Sequence, residues 1–86
     1  MKVTQTKQLQ GIGTVGAVKA EELMIGMKLC WNYSIGEYVV ENIEKISKCF
    51  YKLTEKNIKS GKVYERKIKS DKLIGVATIN GEIAFI

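Results

Sequence analysis

KCFYKLTEKNIKSGKVYERKIK, residues 48–69, decides how this chain folds. Apolar and polar side chains alternate on both sides of Ser60-Gly61 with the period of two that belongs to a β-strand, and Ser-Gly is a turn pair. If those two residues form the whole turn, Lys59 faces Lys62 and every pair further out follows. Ile58 then faces Val63, Lys56 faces Glu65, Glu55 faces Arg66 and Leu53 faces Ile68. Two apolar and two opposite-charge pairs arise from one assumption, which predicts a long hairpin. One of its faces carries Leu53, Tyr64 and Ile68, continued by Cys49 and Tyr51. The other carries Lys48, Phe50, Lys52, Lys67 and Lys69, with Lys52 opposite Lys69. Like charges placed so cost stability unless both side chains splay into water or an anion lies between them.

The same alternation, rich in β-branched and aromatic residues and broken by Gly, Asn or Ser, runs through most of the chain and predicts an all-β fold. Strands are expected over residues 28–32, 37–47, 48–55 and 63–69. A terminal hairpin is expected around Ile79 to Glu82, where Asn80-Gly81 is a type I′ turn signal. A short helical turn is expected at residues 20–23, with little else helical. Residues 1–17, polar as far as Gln10 and then glycine-rich, read as a flexible arm or an edge strand. Residues 18–86 read as a single small domain.

Charge is concentrated in this hairpin. Residues 56–72 hold seven of the fourteen basic side chains and two of the nine acidic ones, so they account for the whole formal net charge of +5. Lysines on an edge strand discourage edge-to-edge pairing and need no ligand for that. An exposed Phe50 among Lys48, Lys52, Lys67 and Lys69 suggests more: an aromatic ring to stack a base, with cations for the phosphates.

Other chemistries find little support. A chain of 86 residues buries only about 60–65 % of its unfolded surface, which leaves room for one modest core and little for an enclosed active site. There is no histidine, so the usual near-neutral acid and base is missing, and an enzyme is not expected. Cys30 and Cys49 each lie in an apolar run and are expected to be buried, reduced thiols. Two thiols without histidine do not complete a four-ligand zinc site, so no metal or other cofactor is expected. No stretch approaches the ~18 apolar residues of a membrane span, and the start lacks an apolar leader, which together suggest a cytoplasmic protein without a membrane partner.

Gly11-Ile-Gly-Thr-Val-Gly16 matches G-x-G-x-x-G, yet a dinucleotide loop needs an apolar strand before it and a helix after it, and neither neighbour fits. Glu41 and Glu44, an odd number apart, are expected on opposite sides of a regular strand, and Glu21 and Glu22 lie beside a turn. None of these forms an acid/base pair. Trp31 and most of the tyrosines fall on inward faces, where they serve packing.

The segment AEELMIGMKL, residues 20–29, resembles the A-x-D-L-x-x-G-D-x-V opening of small Src-homology-type (SH3-like) β-barrel proteins of phages and mobile elements. YVVENI (38–43), Ile46-Ser-Lys48 and residues 64–76 are similar to later strands of that family. Glu22 and Met27 stand where its pattern has acidic Asp residues. The resemblance implies a small antiparallel, partly open SH3-like barrel with one helical turn, used as a non-enzymatic binding module of unassigned function. The expected function is nucleic-acid binding through the Lys/Phe face. The alternative is a protein partner, as for an accessory or host-modulating factor of a mobile element, and self-association is a third reading.

Overall fold

Nine strands form among the described residues of the computed structural model, which are residue 3 and residues 5–86. They are β1 (Gln5–Leu9), β2 (Gly13–Lys19), β3 (Lys28–Trp31), β4 (Ser34–Lys45), β5 (Phe50–Asn57), β6 (Val63–Lys69), β7 (Leu73–Val76), β8 (Thr78–Ile79) and β9 (Glu82–Ile83). Seven of them build one antiparallel sheet in the order β1-β2-β7-β3-β4-β5-β6, and β8 with β9 makes a separate hairpin. The sheet keeps two free edges, β1 and β6, and does not close on itself. A 3-10 turn at Ala20–Glu22 stands where the helical turn was expected. Among the described residues no helix is long and apolar enough to cross a membrane.

The core lies on one face of β2 through β6. Val18 pairs with Ile74 and Leu29 with Val76, while Ile43 pairs with Leu53 and Tyr51 with Ile68. Leu23, Met27 and Ile83 join them from outside the sheet. Alternation puts these residues on a common side, and burying them supplies most of what holds the strands together.

Leu73–Val76, for which the sequence pattern suggests no separate strand, lies in the interior of the sheet, between β2 and β3. Its run of apolar residues around a glycine does not alternate because both of its faces are covered. Space at Gly75 is tight: a Cβ would lie 3.0 Å from the Cys30 carbonyl oxygen and 3.0 Å from Leu9 Cδ1. Of the arm expected over residues 1–17, residues 1, 2 and 4 lie outside the described residues. Most of the remainder belongs to β1 and β2, with β1 at the edge and both Leu9 and Ala17 buried.

The β5–β6 hairpin forms on a different register from the one expected. Leu53 faces Arg66, Tyr51 faces Ile68 and Lys56 faces Val63. Asn57 is the reason. Its side-chain oxygen accepts the backbone N–H groups of Lys59 (3.0 Å) and Ser60 (2.9 Å), and its own N–H reaches the Lys62 carbonyl (2.8 Å). The turn therefore spans Ile58 to Gly61 instead of Ser60-Gly61 alone, an asparagine-closed loop completed by Gly61 at φ 74°. The register moves by two, so the residues of β5 and β6 stay on their expected faces while their partners change. The Asn80-Gly81 turn has both residues at positive φ, 54° and 82°, as type I′ requires.

Candidate functional site

The expected site residues divide into three environments. Lys48 is not in a strand; it lies in the β4–β5 turn, exposed, since β5 begins only at Phe50. Phe50, Lys52, Lys67 and Lys69 do share one face of the hairpin. Lys69 faces Phe50, however, and Lys52 faces Lys67, which corrects the expected opposition of Lys52 and Lys69.

Lys52 is enclosed by acid. Its Nζ lies 3.7 Å from Glu44 Oε2 on β4 and 3.7 Å from Glu65 Oε2 on β6. Lys56 is similarly placed, 3.9 Å from Glu41 Oε1. A β-bulge between Val40 and Asn42 makes this arrangement, because one extra residue in β4 lets both Glu41 and Glu44 meet lysines of the same face. The expectation that these two glutamates lie on opposite sides holds only for an unbulged strand. Exposed pairs of this kind contribute less than about 1 kcal/mol each, yet they cancel charge that would otherwise face an anion.

Charge without a carboxylate partner is left at the Phe50 end. Lys67 Nζ sits 4.5 Å from the centroid of the half-buried Phe50 ring, and Lys69 lies across from it. Among the described residues neither lysine has a carboxylate within 4.0 Å.

The opposite face of the hairpin carries a buried ionic group. Glu55 on β5 is completely buried; its Oε2 accepts the Arg66 Nε–H and its Oε1 accepts the Trp31 Nε1–H at 2.6 Å. The Arg66 guanidinium lies over the Trp31 ring, 4.4 Å from its centroid. The sequence pattern pairs Glu55 with Arg66 directly across the hairpin. In the fold they meet diagonally on the same face, and Trp31 comes from β3, beyond the reach of any hairpin rule.

The glycine motif is structural. Gly11 in the β1–β2 turn and Gly13 at the start of β2 adopt φ 81° and 83°, and a Cβ on Gly11 would lie 2.1 Å from Cδ1 of Tyr33. Cys30 is buried, as expected, but Cys49 is exposed, because it lies in the β4–β5 turn and not in an inward-facing strand. Burial pushes the Cys30 thiol up from its ordinary value, and a backbone hydrogen bond from Gly36 offsets only part of that. A thiol reagent is therefore expected to label Cys49 alone in the native protein and both cysteines after denaturation. Two labels on the native chain by mass spectrometry would contradict this placement.

Comparison with protein-family models, with curated proteins and with solved structures finds no match to this chain.

Proposed function

We propose that this chain is a non-enzymatic binding module that holds single-stranded nucleic acid on the Phe50 end of the β5–β6 face. The observation that carries this reading is the half-buried aromatic ring with Lys67 above it and Lys69 opposite, neither with a carboxylate partner among the described residues. Lys48 in the neighbouring turn adds a third cation. A base stacking on Phe50 displaces Lys67 from the ring. An exposed cation–π contact is worth about 0.5–1 kcal/mol and a base–aromatic stack about 1–3 kcal/mol, so the exchange favours the base and leaves the ammonium for a phosphate. A sheet curled so far that both free edges reach one cleft supports a partly open barrel of the SH3-like kind, an architecture common among binding modules.

The test is fluorescence anisotropy of labelled single- and double-stranded DNA and RNA at several salt concentrations between roughly 50 and 200 mM. Phe50→Ala is expected to weaken single-strand binding by about 1–3 kcal/mol. Lys67→Gln and Lys69→Gln are each expected to flatten the salt dependence by about 0.7 in slope. Lys52→Gln should change it little, because Glu44 and Glu65 already hold that charge. Binding that disappears near 200 mM salt without preference, or that ignores Phe50→Ala, would leave these lysines as protection of a sheet edge.

A further inference from the structure

The two free edges of the sheet, β1 and β6, line one polar cleft of about 460 Å³ together with Trp31 and the β6–β7 turn. We propose that this cleft is a binding site for a compact phosphate-class oxyanion, free or as the phosphate of a small ester, held by Lys7, Arg66 and Lys72. Its volume falls in the range of small-molecule sites.

Three cations reach the cleft from three different elements: Lys7 from β1, Arg66 from β6 and Lys72 from the turn that follows it. Lys7 is fixed in place, its Nζ donating to the Leu73 carbonyl at 2.9 Å. Burial, and after it the charge of Lys72, lowers the Lys7 ammonium below its ordinary value, so an anion placed here relieves an existing repulsion. Among the described residues neither Lys7 nor Lys72 has a carboxylate within 4.0 Å. Glu55 balances Arg66 alone, which leaves two uncompensated positive charges.

Arg66 is held ready for a ligand. Buried Glu55 takes its Nε–H and the Trp31 ring supports its plane, while 46 % of the side chain remains accessible. Its two terminal nitrogens have no hydrogen-bond partner among the described residues, and they form the fork that suits an oxyanion. A lysine, with its single nitrogen, could not hold Glu55 and meet a ligand with separate groups. The only arginine in the chain, beside thirteen lysines, stands at this position.

This surface is separate from the Phe50 site, because Arg66 alternates along β6 with Lys67 and Lys69 and projects to the other face. The chain's single tryptophan, Trp31, lies in the cleft and reports on it directly. Trp31 emission is to be followed on titration of the whole protein with inorganic pyrophosphate and, separately, with ribose 5-phosphate, each against sodium chloride at matched ionic strength. A saturable change absent from the chloride control is expected. It should require about tenfold more ligand in Lys7→Gln and in Lys72→Gln, and be unaltered in Phe50→Ala. Saturation by pyrophosphate alone would identify the free anion, and saturation by both would identify the phosphate group in either setting. A wild-type response no larger than that to chloride, or undiminished wild-type affinity in both lysine variants, would overturn the proposal whatever the outcome with nucleic acid.

Discussion

Replacing Arg66 with methionine is expected to destabilise the fold by about 3 kcal/mol, near the lower end of what removing one partner from a buried ion pair costs. The carboxylate of Glu55 is completely buried, and without Arg66 only the Trp31 Nε1–H remains to it as a side-chain donor. The lower end applies because the arginine is partly exposed, so water can approach from its side once the guanidinium is gone. Methionine preserves much of the aliphatic packing over Trp31, which separates the loss of charge from the loss of contact. Adding Glu55→Gln to that variant removes the uncompensated charge and is expected to restore more than half of the loss. Urea unfolding of the two single variants, the double variant and the parent closes the cycle and measures the coupling. A loss below about 1 kcal/mol for Arg66→Met would show that hydration replaces the guanidinium and that the pair is no part of what holds β5 to β6.

Leu53→Ala is expected to be comparably damaging, at about 2–5 kcal/mol, the range for a fully buried leucine whose neighbours collapse only partly into the cavity. Leu53 is completely buried in the middle of β5, in register with Ile43 on β4 and Arg66 on β6. It therefore ties together the three strands β4, β5 and β6 at one end of the sheet. A chain of this length has about 4–13 kcal/mol of stability in total, so the variant gives up a large share of it. The midpoint of thermal unfolding should fall by about 4–8 °C for each kcal/mol lost. Leu53→Met, which keeps the volume, should cost less than about 1.5 kcal/mol. Similar melting of the alanine and methionine variants would mean that the site is less tightly enclosed than its burial indicates.

Much of the lysine-rich hairpin is legible in its residues, and its errors have identifiable causes. The alternation across residues 48–69 correctly separates Phe50, Lys52, Lys67 and Lys69 from Leu53, Tyr64 and Ile68. The partners differ because the Asn57 side chain closes a longer turn, and the slip of two residues leaves the faces intact. Lys52 is read as free charge from the hairpin alone; its two carboxylates come from Glu65 across the hairpin and from Glu44 on β4, placed by the bulge near Glu41. β1, β2 and β7 escape a reading by periodicity for opposite reasons. The first is a polar edge strand and the second is glycine-rich, while the third is covered on both faces.

The sequence by itself determined the all-β class, the two-residue type I′ turn at Asn80-Gly81 and the division of the hairpin into an apolar and a basic face. Each depends on interactions within a few residues, where period and turn chemistry act directly. Only the tertiary structure decided that Leu73–Val76 is an interior strand and that Glu41, Glu44 and Glu65 neutralise two of the lysines. It alone brought Trp31 to the Glu55–Arg66 pair, and Lys7 and Lys72 to one cleft. Those outcomes depend on strand order, on one inserted residue in β4 and on the curl of the sheet, which join residues far apart in the chain and leave no periodic mark in it.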